Sequence, residues 1–371
     1  MFSMVRHSLF IVLILLFFIT PAVIAQSSSS PADSAQLDIR KIFAYSLEGD
    51  IRSALRLTEV ESPGMLMSRH RAFKEAFEKR FRYEQDRSSF LEERRSSIDS
   101  LLKIYRDYWR SSFVDNSTTY DRVLKNNLTR FLSRNYKPAK KLSASAKDEK
   151  LEHYLKDYIE SFGFHTTGYG KTGKFRDLLV WRNEKDTTYT FLINEEKISA
   201  RVIFMEDFIT LGWNEYATLG KLHPGGWATK EALYCVKKAY DLNSESFLIS
   251  YLAHEGRHFS DYKLFPNLSS ADLEYRAKLT ELSMANSSLY QVLEFFILNA
   301  NYDSNNGHQV ANYCAIRELS KKLFKTEFEK DISAWKQLTP EAIHAASYTI
   351  LQSNTVELKK TGKDVVNYIK P

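Results

Sequence analysis

Two histidines four residues apart set the strongest constraint on how this chain can fold. They are His254 and His258 in the segment HEGRH, and Glu255 follows the first of them. Residues i and i+4 lie on the same face of an α-helix, so a helix here directs both imidazoles at one metal ion. Glu255 then lies beside the metal, where it can take a proton from a metal-bound water and pass it on. The spacing therefore predicts a helix that carries a zinc site.

The residues around this segment favour the helix. Apolar residues recur with helical spacing from Phe247 to Phe259, and Ser244 or Ser246 can cap the amino end. Gly256 costs about 1 kcal/mol relative to alanine in a helix interior, which argues against a purely structural segment. The alternative is a helix on which two histidines fall by chance.

A catalytic zinc site also needs a third protein ligand and a free coordination position. Six residues after the HEGRH segment stands Leu264, which excludes a third histidine at that spacing. A glutamate on a following helix is the other common solution. Pro266 ends the first helix, and residues 269–272 resemble a capping box that opens a second one. In that second helix Glu274 and Glu281 are seven residues apart and share a face.

We expect Glu274 to be the third ligand, because it lies in the second turn of the new helix, nearer the loop. Glu281 then supports a ligand from behind, or faces solvent or the edge of the core. The reverse assignment, with Glu281 on the metal, stays open. Asp261 lies one turn beyond the second histidine, and it either accepts a hydrogen bond from a ligand imidazole or faces water.

These residues resemble those of the zincin metallopeptidases, specifically the gluzincin branch to which thermolysin belongs. The resemblance covers about residues 148–350, and HEGRH is its specific part. It implies an α+β fold that is mainly helical, with a small mixed β-sheet over the active-site helix. It also implies one Zn²⁺ ion held by His254, His258 and Glu274, with Glu255 as the general base. The chain departs from the family in one respect: 15 residues separate His258 from Glu274 and 22 separate it from Glu281, whereas the gap in thermolysin-like enzymes is intermediate.

The resemblance also suggests supporting groups. Zincins align substrate on an edge strand, and residues 223–228 (HPGGWA) could form one, because Gly226 permits close backbone approach. An ordinary turn is the alternative. A histidine or tyrosine from the lower half of the domain often polarises the scissile carbonyl, and the candidates are His308, Tyr302 and Tyr313.

The chain as a whole divides into four predicted segments. They are a secretory signal peptide at 1–25, a flexible serine-rich linker at 26–36, a helical region at 37–140 and the zincin-like domain at 148–371. Arg6 and His7 precede the short apolar run of the signal peptide, for which an uncleaved anchor is the alternative. Export predicts a periplasmic or secreted protein. The N-terminal helices could inhibit the catalytic domain or deliver substrate to it.

The helical region and the β-region have different periodicities. Phe73, Phe77 and Phe81 recur every four residues, whereas residues 137–147 contain Pro, Ser and Lys without an apolar period and predict a linker. Runs of β-branched and aromatic residues predict strands, with a polar turn at 183–187 between the first two. These runs are 178–181, 189–193, 201–204 and 232–240, of which the last could be a helix.

The two cysteines have two possible states in an exported protein. Cys235 and Cys314 either form one disulfide in an oxidising compartment or stay as buried thiols. The residues alone do not favour one state over the other.

Composition excludes several classes of protein. The 371 residues are 43% hydrophobic, which is too apolar for a disordered chain, and two cysteines are too few for a disulfide-stapled miniprotein. The 52 basic and 46 acidic residues leave a net charge of +6, which is no argument for a nucleic-acid partner. No apolar run of 18 residues follows the signal peptide, so no membrane span is expected after its cleavage.

The sequence therefore predicts an exported zinc metallopeptidase that acts on a peptide or protein substrate. Two other classes stay open. One is an inactive binding protein with a zincin-like fold, and the other is a helical envelope scaffold whose histidine pair is incidental.

Overall fold

The computed structural model describes residues 37–59, 68–82, 97–304 and 306–369. The predicted signal peptide (1–25) and linker (26–36) lie outside the described residues. Within this part of the chain, no helix combines the length and the apolar character needed to cross a bilayer. Helices predominate and one mixed five-stranded sheet accompanies them, so the predicted α+β class is confirmed.

The described chain forms two compact units. The first contains residues 37–183 and 206–224, and the second contains residues 184–205 and 225–369. The segment predicted as a linker, residues 137–147, lies inside the first unit. Ala139 and Leu142 are buried there, and a short 3₁₀ turn at Lys137–Ala139 begins the segment. Two buried apolar residues thus pack this stretch into a core although it has no apolar period.

Six helices of the first unit surround an aromatic core. They are α1 (Ile39–Leu47), α2 (Ile51–Arg56), α3 (Ser68–Phe81), α4 (Ser97–Val114), α5 (Asp121–Asn135) and α6 (Asp148–Glu160). The predicted phenylalanine stripe lies on α3, where Phe77 and Phe81 are buried and Phe73 is half-buried. The rings of Phe77 and Phe81 lie 5.0 Å apart, and the ring of Phe77 stacks on that of Phe73 at 5.6 Å. The stripe is therefore the inward face of this helix.

The strands form one large sheet and one small one. They are β1 (His165–Thr166), β2 (Gly170–Thr172), β3 (Phe175–Asp177), β4 (Leu179–Ile193), β5 (Glu196–Leu211), β6 (Gly226–Ala228) and β7 (Leu233–Val236), with α7 (Trp213–Ala217) after β5. The large sheet has the order β1-β4-β5-β7-β6, and β2 pairs only with β3 in the described chain. β7 runs parallel to β5 and antiparallel to β6.

The polar turn predicted at 183–187 is wrong. Residues 178–181 and 189–193 belong almost entirely to one strand, β4, which continues through the polar stretch. Residues 182–186 are all exposed, so that no apolar alternation marks the strand there. Of the run at 232–240, only the part within β7 is a strand, and a 3₁₀ turn at Lys237–Ala239 follows it.

The second unit continues with the segment that carries HEGRH. A π-helical stretch at Ser246–Ala253 leads directly into α8 (His254–Leu264). The following helices are α9 (Ser270–Met284), α10 (Leu289–Leu298), α11 (Gly307–Leu323), α12 (Ile332–Trp335) and α13 (Pro340–Thr361). As predicted, α8 ends just before Pro266, and the Oγ of Ser269 caps α9 by accepting from the N–H of Asp272 at 3.2 Å.

The disulfide alternative is wrong. Cys235 on β7 and Cys314 on α11 are free thiols, and both are buried. Burial raises the pKa of each thiol, which keeps both in the unreactive protonated form. The two cysteines therefore act as small apolar residues.

A buried carboxylate organises the start of α7 in the first unit. Asp177 Oδ1 accepts hydrogen bonds from the N–H groups of Leu178 and Trp213, both at 2.9 Å. Burial raises the pKa of Asp177 to about 6. Gly212 precedes α7 with φ +88°, and a Cβ there would lie 2.3 Å from Asp177 Oδ1. Only glycine satisfies both the backbone angle and this contact.

We predict that Gly212→Ala lowers the free energy of unfolding by about 3 kcal/mol, from backbone strain and from the clash with Asp177. Urea denaturation followed by circular dichroism measures the change. Gly220→Ala is the matched control, because Gly220 has φ +78° but no atom lies within 4 Å of the point that its Cβ would occupy. Equal losses in the two variants would show that the Asp177 contact contributes nothing.

Candidate metal centre

Three side chains from two helices converge in the second unit. They are His254 and His258 of α8 and Glu274 of α9, and one ligand atom from each lies within 4.8 Å of the others. Glu274 Oε2 lies 3.5 Å from His254 Nε2, and Glu274 Oε1 lies 3.3 Å from His258 Nε2. All three side chains are buried. This group could hold a metal ion.

The atoms that face one another in this group support that interpretation. The Nε2 atoms of His254 and His258 and the Oε1 atom of Glu274 are buried without a well-formed hydrogen bond. Buried polar atoms are nearly always hydrogen-bonded, so three unsatisfied atoms around one point indicate a missing partner. Two imidazole nitrogens and a carboxylate are suitable donors for a divalent transition metal.

Helix geometry places the two imidazoles as predicted. His254 and His258 are one turn apart on α8, and their ring centroids are 4.8 Å apart. The Oγ of Ser244, one of the two predicted caps, accepts from the N–H of Phe247 at 3.2 Å at the start of the π-helical stretch. π-Helical turns occur often at functional sites.

Gly256 has a packing role that the sequence did not reveal. A Cβ at this position would lie 2.7 Å from the ring of Phe191 and 3.1 Å from Ile193 Cδ1. The glycine therefore lets strand β4 lie directly against α8. Its cost in helix propensity, which argued against a structural role for the segment, is explained by this close contact.

Glu281 contacts the outer nitrogen of His254 and does not belong to the cluster itself. Its Oε1 accepts a hydrogen bond from His254 Nδ1 at 2.5 Å. This contact fixes the ring and leaves Nε2 directed at Glu274. Burial favours a neutral ring, but Glu281 and Glu274 together raise the pKa of His254 to about 10. Of the two glutamates that the sequence offered, Glu274 is the one placed between the imidazoles.

The Glu274 carboxylate is held in its charged form. Burial alone would raise its pKa, yet His308 and the two histidines of the cluster hold the pKa well below its usual range. The carboxylate is therefore a ready ligand for a cation.

Both expectations for Asp261 are wrong. It neither contacts an imidazole nor faces water, because it is fully buried and accepts two hydrogen bonds from Arg276, at 2.7 and 2.9 Å. Arg276 also donates to Asn354 Oδ1 at 2.6 Å and to Thr355 Oγ1 at 3.0 Å. This network joins α8, α9 and α13. Arg276 was not identified from the sequence. Its role becomes visible only in the structure, because α9 is buried on all of its faces.

Glu255 is a buried carboxyl group beside the cluster. Its side chain is fully buried, and neither oxygen makes a well-formed hydrogen bond within the described residues. Burial raises the pKa of Glu255 to about 8, although His254 and the backbone N–H of Ala228 favour the charged form. A buried carboxyl is costly to a fold, and such groups concentrate at functional sites.

Among the three candidates for carbonyl polarisation, His308 lies at the cluster. Its Nδ1 is 2.8 Å from Glu274 Oε2, at the start of α11. Tyr302 and Tyr313 instead pack on each other, with ring centroids 5.0 Å apart, and Tyr313 also stacks on Phe328. A further neighbour, Lys278, was not recognised in the sequence, and its Nζ lies 3.6 Å from Glu274 Oε2.

The segment HPGGWA contains an edge strand, so the turn alternative is wrong for its last three residues. β6 ends the strand order of the large sheet. The N–H of Val236 on β7 donates to the carbonyl of Gly225 at 2.9 Å. Hydrogen-bonded pairs alternate along antiparallel strands, so Gly226 and Ala228 turn their N–H and C=O groups away from β7.

Comparison of the chain with models of protein families, with curated proteins and with solved structures finds no match. The interpretation of this site therefore depends on its own geometry.

We predict that the wild-type protein binds one divalent transition-metal ion per chain, measured by elemental analysis after dialysis. His254→Ala, His258→Ala and Glu274→Ala should each abolish stoichiometric binding. Glu281→Ala should keep the stoichiometry while metal affinity falls about 10–100-fold, because it only orients a ligand. Loss of stoichiometric binding in Glu281→Ala but not in Glu274→Ala would reverse the assignment of the third ligand.

We also predict that Arg276→Met lowers the free energy of unfolding by about 3–5 kcal/mol, because the buried Asp261 carboxylate loses both of its hydrogen bonds and keeps only the Arg257 guanidinium at 3.8 Å. Thermal and urea denaturation measure this loss. Arg201→Met is the control, since Arg201 pairs with Asp186 on the surface and such pairs contribute about 0–1 kcal/mol. A similar loss in both variants would contradict a structural role for the buried network.

Proposed function

We propose that this protein is an exported zinc metallopeptidase of the zincin type, with His254, His258 and Glu274 as metal ligands and Glu255 as general base. The observation that carries the proposal is the fully buried carboxyl of Glu255 beside a convergent group of two histidines and a glutamate. Burial raises the pKa of this carboxyl to about 8, and buried groups with strongly shifted pKa values concentrate at functional sites.

The donor set supports zinc in a catalytic site. Zinc binds imidazole nitrogen and carboxylate oxygen, and structural zinc sites use four protein ligands. The group in the described residues offers three, which suits a catalytic site that keeps one position for water or substrate. A bound zinc ion would supply Lewis-acid polarisation of a carbonyl and would acidify a water molecule.

The residues of the chain have separate roles in the proposed hydrolysis. Glu255 takes the proton from the attacking water and delivers it to the leaving amine, as its place one residue after His254 allows. Glu281 keeps the His254 ring oriented through the bond to Nδ1. His308, which is a quarter exposed beside Glu274, stays a candidate for contact with the carbonyl oxygen.

The edge of the sheet is a candidate for contact with a peptide substrate. An extended peptide can add to a sheet edge through main-chain hydrogen bonds, and β6 turns those of Gly226 away from β7. The three residues of β6 are buried, so a peptide must displace other groups before it pairs with this strand. A Cβ on Gly226 would lie 2.2 Å from the carbonyl oxygen of Tyr234 and 2.5 Å from the ring of Tyr251. Glycine therefore allows β6 to lie close to β7 and to Tyr251.

Export is part of the proposal and rests on the apolar segment at 1–25, which predicts a periplasmic or secreted protein. Nothing in the modest net charge argues for nucleic acid as a partner.

One observation favours a second function, a binding protein that keeps the metal without turnover. The residues His254, His258, Glu255 and Glu274 are at most 1% exposed, so a peptide must displace other groups before it reaches them. Substitution of Glu255 distinguishes the two functions.

We predict that Glu255→Gln keeps one zinc ion per chain while hydrolysis of a peptide library falls at least about 100-fold, because the amide cannot accept the proton. Elemental analysis and mass spectrometry of the library measure both quantities. Glu245→Gln is the control, because Glu245 only accepts hydrogen bonds at the start of α10, including one from the N–H of Ser287 at 2.9 Å. Wild-type protein without zinc would refute the proposal, and zinc without cleavage would establish the binding protein.

A further inference from the structure

The two oxygens of the Glu274 carboxylate have different surroundings. Oε1 faces His258 Nε2 at 3.3 Å, and Oε2 lies 3.5 Å from His254 Nε2. Oε2 is also contacted by two groups outside the ligand set, His308 Nδ1 at 2.8 Å and Lys278 Nζ at 3.6 Å. These two nitrogen atoms therefore lie beside the same oxygen of the carboxylate.

Lys278 is a buried cation whose position is explained by this contact. The residue is 4% exposed, and its Nζ lies 4.5 Å from the centre of the Phe296 ring. Removing an ammonium group from water costs several kcal/mol, and a nearby opposite charge offsets that cost. Glu274 provides this charge from one turn earlier on the same face of α9. The aromatic ring stabilises the cation further.

His308 is fixed over the carboxylate by the start of its helix. Asn306 Oδ1 accepts from the N–H of His308 at 3.0 Å and caps α11. A Cβ on Gly307 would lie 2.8 Å from Ser270 Oγ, so the start of α11 packs tightly on the start of α9. The distance between His308 and Glu274 is therefore set by the packing of two helices.

We infer that Lys278 and His308 are positioning residues that engage Oε2 of Glu274, so that the third ligand offers the metal only Oε1. The inference rests on the proposed metal site, and it explains how one coordination position of the metal would be kept free. A carboxylate that binds through both oxygens occupies two coordination positions, whereas one that binds through a single oxygen leaves a position for water or substrate.

Cobalt(II) in place of zinc tests this inference without any activity measurement, because its visible absorption distinguishes four-coordinate from five-coordinate sites. Full-length wild-type protein, Lys278→Met and His308→Ala are loaded with Co²⁺. The wild type should show the intense bands of a four-coordinate site. Both variants should show the weaker bands of a five-coordinate site, and their Co²⁺ affinity should fall about 10–100-fold.

Two matched variants separate positioning from general disturbance. In His308→Asn the amide nitrogen takes the place of Nδ1, so it should restore the four-coordinate spectrum that His308→Ala loses. Lys263→Met removes a lysine of α8 whose Nζ lies 3.7 Å from the centre of the Phe259 ring, and it should leave the spectrum unchanged. Circular dichroism checks that each variant is folded. If Lys278→Met does not fold, the Co²⁺ spectra of His308→Ala and His308→Asn test the inference without it.

The outcomes separate this inference from the proposed function. Wild-type spectra and affinities in both Lys278→Met and His308→Ala would overturn the inference and leave the metal site intact. A wild type that binds no Co²⁺ would overturn both. Weaker bands in the two variants, with recovery in His308→Asn, would support the inference.

Discussion

The paired hydrogen bonds between Asp261 and Arg276 are the contact on which the candidate metal site depends. They join α8 to α9 in a buried environment, and Arg276 extends the network to α13 through Asn354. Glu274 lies two residues before Arg276 on α9. Because the ion pair fixes the rotation and the axial position of α9 relative to α8, the Glu274 carboxylate faces both imidazoles. Burying this ion pair costs free energy, and the same ion pair fixes the position of Glu274, the candidate third ligand.

The same fold keeps several ionisable groups close together. Glu274 and Glu281 lie on either side of His254, and Lys278 and His308 contact Glu274 from outside the cluster. The His254 ring thus separates the two carboxylates, which limits the repulsion between them. The three side chains that could hold a metal ion already converge on one point, so metal binding would require little rearrangement of the chain.

Two glycines allow the sheet to pack tightly against the helix that carries the histidines. Gly256 admits the ring of Phe191 from β4, and Gly226 admits the carbonyl of Tyr234 and the ring of Tyr251. Larger side chains would separate these elements and expose the cluster to water. The full burial of the Glu255 carboxyl therefore follows from close backbone packing.

The sequence by itself determined the features that depend on local spacing. The i, i+4 histidines, the helix end before Pro266 and the serine cap at Ser269 are all properties of consecutive residues, so α8 and α9 could be predicted, with Glu274 and Glu281 as the two candidates for a third ligand. Only the tertiary structure placed Glu274 between the imidazoles and decided the partner of Asp261 and the contact of Lys278 with Glu274. It also decided that β4 continues through residues 183–187. These features depend on contacts between residues that are far apart in the sequence, and the periodicity of consecutive residues does not predict such contacts.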